Sequence, residues 1–317
     1  MPSDNQMSTR AWLATTIGVT LLLVVGVAGI NAFVDIYGIF RNPAGRHLAV
    51  YGDERIAKYL LCEKYVPANF DAIVVGSSVS ANWDMSGVDS IKTYNASLNG
   101  GNIVEEKTVF DQTLPAHRLK AVFLVVHPFL TSSHEFETVR LTPRENVAAL
   151  GSLSLLDAYK DKLHTLLHKD GATDAFGTTK LGDNPQPMNA IVRKLLGSPG
   201  EFPIDPIAFD ANRALIAEVH STGLPIVFII PPLSENLLES RSGQFAGYSR
   251  LILGDKALGD KVIDFTSPDY LEFRKNSANF KDGVHLTDRA AHEVVADIRK
   301  RLDDWAGDGQ RRFPDRQ

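Results

Sequence analysis

Asp71-Ala-Ile-Val-Val-Gly-Ser-Ser-Val-Ser-Ala-Asn-Trp83 is an apolar run that stops at Gly76 and then presents two hydroxyls, Ser77 and Ser78. A short, unbroken apolar run closed by glycine is the pattern of a buried strand in a parallel sheet, where chemistry collects at the strands' carboxyl ends. Far downstream, Asp282-Gly-Val-His285 precedes Leu-Thr-Asp-Arg-Ala-Ala-His-Glu-Val-Val-Ala-Asp-Ile, a loop feeding an amphipathic helix. A hydroxyl, an imidazole and a carboxylate three residues before it are the parts of a nucleophilic triad.

Around this strand the chain alternates elements. A helix is expected from about Glu54 to Lys64, ended by Pro67, ahead of the strand Ala72 to Val75. Ile91 to Tyr94 reads as a weaker second strand, and Val104 to Leu114 has helical spacing. Lys120-Ala-Val-Phe-Leu-Val-Val-His127 is apolar throughout and is expected to lie centrally in the sheet. Thr142-Pro-Arg-Glu145 forms a helix start with capping-box spacing, followed by an amphipathic region to about Lys169. Residues from about 131 to 205 form an insertion between core elements, rich in Gly, Pro, Asn, Asp and Thr from Gly171 onward, and a candidate lid or partner surface. Beyond it come a helix from Asp210 to His220, strands at Leu224 to Ile230 and Lys261 to Phe265, and a final helix capped by Thr287. Its apolar face is Ala291, Val294, Val295, Ile298, Leu302 and Trp305. The alternation predicts a three-layer α/β/α sandwich around a mostly parallel sheet.

The 317 residues, 44% of them hydrophobic, suit one medium domain with attachments. A net charge of -5 without long acidic blocks argues against a nucleic-acid-binding surface, and the basic C-terminal tail reads as solvated. Cys62 is the only cysteine, which excludes an internal disulfide and a multi-thiolate metal site; Tyr-Leu-Leu-Cys-Glu places it on a helix's buried face. No phosphate loop and no zinc-protease motif occurs, so neither a cofactor nor a metal is expected.

From Ala11 to Val34 no charge interrupts the chain, a length that matches a bilayer core. A membrane span is expected; the rival, a cleaved signal peptide, has a shorter apolar region of roughly 7 to 15 residues and a small-residue cleavage site. Arg10 lies on one side, Arg41 and Arg46 on the other, so the count of basic residues does not set orientation. The expected organisation is a polar start at 1–10, the anchor at 11–34, a juxtamembrane connection and helix at 35–66, a domain at 67–305 and a polar tail at 306–317.

Gly76-Ser77-Ser78-Val79-Ser80-Ala81, Asn95-Ala-Ser-Leu-Asn-Gly100 and Asp282-Gly-Val-His285 resemble, in that order, the nucleophile, second and terminal blocks of the SGNH, or GDSL-type, hydrolase superfamily. The resemblance is dispersed over residues 71 to 290 and leaves the insertion unmatched. It implies an SGNH/flavodoxin-like fold with Ser78 as nucleophile, His285 as general base and Asp282 orienting the imidazole. It also implies an oxyanion hole from the N–H groups of Ser78 and Gly100. A serine hydroxyl needs such a base, whose contribution is about 10² to 10⁴-fold.

Two departures stand out. Ser77 takes the place where the family usually has aspartate, a Gly-Ser-Ser variant resembling membrane-associated members linked to cell-surface polysaccharide acylation. The third block is absent: Leu124-Val-Val-His127-Pro-Phe lacks the family's asparagine oxyanion donor, a group worth roughly 3 to 4 kcal/mol. His127 is either a substitute donor or a structural histidine beside Pro128.

Plainer alternatives exist for each motif. Gly76-Ser-Ser can be a turn whose hydroxyls cap a helix, and Asp282-Gly-Val-His285 a turn with a packed histidine. Ser234 reads as the cap of the following helix, Asp84 and Asp264 are alternative carboxylates for His285, and His164, His168 and His220 belong to the surface. The resemblance implies a membrane-anchored, extracytoplasmic serine esterase or O-acyltransferase acting on a cell-envelope carbohydrate, with acyl-donor or polysaccharide-assembly proteins as partners. The alternative is a non-catalytic module that binds a glycan or scaffolds an assembly complex.

Overall fold

The computed structural model describes residues 9–88, 90–136, 140–168, 173–188, 190–197 and 200–307; most of the polar start and of the C-terminal tail lies outside them. The apolar runs become strands β1 (Ala72–Val75), β2 (Thr93–Asn95), β3 (Ala121–Val125), β4 (Ile226–Ile230) and β5 (Lys261–Asp264). They form one parallel sheet in the order β2-β1-β3-β4-β5, with β3 in the middle. The helices are α1 (Thr9–Val34), α2 (Glu54–Asn69), α3 (Ile103–Asp111), α4 (Arg144–Ala148), α5 (Leu153–His168), α6 (Ala190–Gly197), α7 (Pro206–Ser221), α8 (Glu235–Leu253), α9 (Leu271–Lys275) and α10 (Asp288–Gly307).

Side chains alternate across each strand and so feed two cores. Ile73, Val75, Val122, Leu124 and Phe228 pack with α2, α3, α7 and α8, whereas Val74, Phe123, Val125 and Ile229 pack against α10. This is the expected three-layer sandwich. The chain leaves β1 for β2 on one side and returns to β3 on the other. The crevice at such a reversal opens beyond the carboxyl ends of the two flanking strands, where Gly76 and His127 follow.

Several local expectations change in three dimensions. Pro67 lies inside α2, which runs on until the Phe70 N–H bonds Val66 O at 2.9 Å. A proline removes one helical donor, and so close to the carboxyl end the remaining bonds hold the turn. The expected capping box at Thr142 gives only the five-residue α4, with Pro143 in the cap position and no side-chain cap bond. The amphipathic region breaks after Leu150 and restarts as α5, where Ser152 Oγ accepts the Leu155 N–H at 3.3 Å.

Helix α1 is apolar, with a mean hydropathy of 2.4 over its best window, and only 6% of that window is buried within the protein. Its exit is built rather than loose. The buried Asp35 carboxylate accepts the N–H groups of Ile39, Phe40 and Arg41 and pairs with Arg46 at 2.9 Å.

Candidate active site

Gly76 follows the end of β1 at a place with no room for a side chain: a Cβ would collide with Ser80 Oγ and crowd Ser97 Oγ and Val125 Cβ. The chain then turns through residues 78–82 without forming a helix, so neither Ser77 nor Ser78 is a helix cap. Ser77 is buried and its Oγ has no partner among the described residues, while Ser78 stays half-buried.

Asn95, at the end of β2, holds this turn. Its side-chain N–H groups donate to Ser80 O at 2.7 Å and Trp83 O at 3.1 Å, and its Oδ1 accepts the Ser97 N–H at 3.0 Å. Sequence reasoning passed over this role, although an asparagine closing a strand two residues before a serine is an Asx-turn signal.

Between Asp282 and His285 the spacing has a physical reason. One carboxylate oxygen, Oδ1, accepts the backbone N–H groups of Val284 (3.1 Å) and His285 (2.9 Å), which aims Oδ2 at the imidazole. Nδ1 of His285 meets Oδ2 at 2.8 Å, and Nε2 lies 2.9 Å from Ser78 Oγ. Gly283, at φ +91°, takes the left-handed conformation that lets the loop turn so tightly.

Burial alone would raise the Asp282 carboxyl, but the His285 bond and charge and the two N–H groups outweigh it, so it lies below the usual carboxylate range. An ionised carboxylate only accepts, which puts the imidazole proton on Nδ1 and leaves Nε2 to accept from the Ser78 hydroxyl. The arrangement can take a proton from Ser78 and stabilise the imidazolium that forms. Asp84 and Asp264 bind Ser86 and Thr266 instead and make no bond to His285.

Gly100 is exposed in the turn after β2. A parallel bridge between Ser77 and Leu98 carries the β1–β2 pairing past the strand ends and sets that turn beside the serines. Beneath it lies a polar truss that sequence reasoning missed. Lys58 Nζ donates to Ser97 O at 2.5 Å, Arg55 to Asn99 O at 2.9 Å, and Glu54 accepts the Asn99 N–H at 3.1 Å. Glu106 accepts the Leu98 N–H at 2.7 Å.

His127 is wholly buried; its Nδ1 accepts the Phe129 N–H at 3.3 Å, while Nε2 has no partner among the described residues. Burial and, secondarily, the charge of His285 push its pKa down to about 3. Phe129 links the two imidazoles, packing edge-on to His127 at 4.3 Å between ring centres and stacking over His285 at 6.5 Å.

The described part of the insertion is stitched to the site. Thr179 N–H bonds Ala81 O at 2.8 Å, Gln186 N–H bonds Lys281 O at 2.8 Å, and Asp288 accepts the N–H groups of Leu181 and Gly182. These bonds hold segment 173–188 against the turns that carry Ser78 and His285. Ser234 sits at the head of α8 without a side-chain cap bond; its N–H bonds Gly283 O at 2.9 Å and braces the triad turn. His220 is not simply a surface residue, since Nε2 bonds the buried Asp260 carboxylate at 2.9 Å; His164 is exposed. The side chain of His168 lies outside the described residues.

Among the described residues no group of three or more His, Cys, Asp or Glu is placed to hold a metal ion. No protein-family model and no curated protein sequence matches the chain. Solved structures that are similar include a Streptococcus pneumonia protein described in terms of platelet activating factor (10% identity, 78% of this chain and 91% of that one, TM-score 0.43). A lipase/acylhydrolase from Enterococcus faecalis is similar at 12% identity, 74% and 95% coverage and a TM-score of 0.37. The acetyl xylan esterase AlAXEase is similar at 14% identity, 73% and 98% coverage and a TM-score of 0.40.

Proposed function

We propose that this chain is a membrane-anchored serine esterase or O-acyltransferase of SGNH type, acting on an acylated cell-envelope carbohydrate outside the cytoplasm. The observation that carries the chemistry is the continuous chain Ser78 Oγ, His285 Nε2, His285 Nδ1, Asp282 Oδ2, with contacts of 2.9 and 2.8 Å. Ser78 Oγ attacks the acyl carbonyl as its proton passes to His285 Nε2. The tetrahedral oxyanion meets the N–H groups of Ser78 and Gly100, and collapse passes the proton to the leaving alkoxide. The acyl-serine is then resolved by water or by a sugar hydroxyl, deprotonated in turn by His285.

The carbohydrate and the acetyl group rest on the resemblance of the Gly-Ser-Ser block to polysaccharide-acylating members and on the apolar α1. An acyl-donor protein in the same membrane would be the natural partner. Labelling the full-length, detergent-solubilised protein with a fluorophosphonate and locating the adduct by peptide mass tests the nucleophile. Adduct at Ser78 that falls sharply in His285→Ala supports the enzyme. Folded protein without adduct sinks it and favours a glycan-binding module, for which the missing asparagine after β3 is the supporting observation.

A further inference from the structure

Helix α5 carries leucines that nothing among the described residues covers. Leu155 and Ala158 face the core, but Leu156, Leu163 and Leu167 are 58% to 70% exposed. Their spacing of seven and then four residues puts them on one stripe of the helix. Such a stripe finds no burial among the described residues.

The stripe begins where α5 meets α1. Val27 and Asn31 of α1 and Leu153, Leu156 and Tyr159 of α5 line a shared cleft of about 430 Å³. Asn31, in the last turn of α1, donates to Leu150 O at 2.7 Å and accepts from the Tyr159 hydroxyl at 3.0 Å. The start of α5 is thereby bolted to α1 at the level where α1 ends, beside the charged knot of Asp35 and Arg46. Exposed apolar side chains of the two helices meet at this cleft, and Lys160, exposed within the stripe between Leu156 and Leu163, has a side chain long enough to carry its charge out of an apolar boundary.

We infer that α5 is an interfacial helix whose leucine stripe lies in the boundary of the bilayer that α1 crosses, so that a lipid surface is its partner. This rests on α1 being a membrane span. On the far side of α5 the Gly52 N–H donates to Asp161 Oδ2 at 3.0 Å, just ahead of α2. Helix α2 in turn braces the turn beside Ser78 through Lys58 and Arg55. A seated α5 therefore sets the height of the serine above the membrane, which suits a substrate or acyl donor presented at that surface.

The test uses the full chain in phosphatidylcholine/phosphatidylglycerol vesicles, with an environment-sensitive fluorophore on one introduced thiol and quenching by brominated acyl chains. The sites are Leu163→Cys and Leu156→Cys on the stripe, Leu22→Cys in α1, and Leu258→Cys in an exposed turn before β5. Native Cys62 is wholly buried, so labelling confined to the introduced thiol confirms the fold. The expected result is loss of emission at Leu163, Leu156 and Leu22 but not at Leu258. Loss at Leu22 alone overturns the inference and leaves the anchor standing. Apolar emission at Leu163 without quenching assigns the stripe to a protein contact and overturns it, as does equal loss at Leu258, which means general adsorption. No loss at Leu22 sinks both the anchor and the inference.

Discussion

The backbone N–H of Phe129 donates to Nδ1 of His127 at 3.3 Å, which places that ring's proton on the buried Nε2, unpartnered among the described residues. A neutral imidazole donor left without an acceptor beside the His285 site is suited to a charge that develops only during reaction. His127→Phe should lower the rate of release from an activated acetate ester by about 10² to 10³-fold with KM little changed, and His127→Gln should recover part of it. Lost stability with an unchanged rate would assign the ring to structure.

The same ring makes a stability prediction. Its folded pKa, about 3, lies below the ordinary 6.5. Between these values the unfolded chain takes up a proton that the native ring refuses, so this contribution erodes stability as pH falls below about 6.5 and levels off near 3. Urea midpoints measured across that window should fall less steeply in His127→Phe than in the parent protein.

The Ser78 and His285 contact spans 207 positions of sequence, and in the mechanism we propose the two groups act in one step. His285→Ala should slow acylation by about 10² to 10⁴-fold. The double variant Ser78→Ala/His285→Ala should be no slower than Ser78→Ala alone, since groups acting as a unit do not lose rate additively. Multiplying losses would mean that they serve separate functions.

Glu106 is wholly buried, with one oxygen on the Leu98 N–H and the other without a partner among the described residues, and burial pushes its carboxyl well above the usual range. A folded acid with a raised pKa costs stability once pH exceeds the unfolded value, because only the unfolded chain ionises. Glu106→Gln should therefore raise the thermal midpoint at pH 7, and the gain should shrink as pH approaches 4.5. An unchanged midpoint at pH 7 would contradict a neutral Glu106.

Asp288 ties three parts of the site together, accepting from Asn82 Nδ2 at 3.1 Å and from the N–H groups of Leu181 (3.0 Å) and Gly182 (2.8 Å). Asp288→Ala should destabilise the fold by about 1 to 3 kcal/mol through the donors it strands. It should also lower kcat more than KM rises, because Asn82 joins the Ser78 turn to Leu286, next to His285. A loss of stability with unchanged kinetics would limit Asp288 to the scaffold.

What could be read from sequence was local. Strands β1, β3 and β4 show as apolar runs because burial on both faces leaves a contiguous mark, and α1 shows as an uncharged apolar stretch. The Asp282–His285 relation is legible because an aspartate turning its own following N–H groups needs only three residues. What only the tertiary structure decided are relations between distant segments. They include the truss of Glu54, Arg55 and Lys58 under the turn after β2, and the bonds of segment 173–188 to Ala81, Lys281 and Asp288. Each depends on a buried polar group finding a partner tens of residues away. Periodicity and propensity carry no trace of such a partner, because its identity is settled by which strands and helices happen to become neighbours.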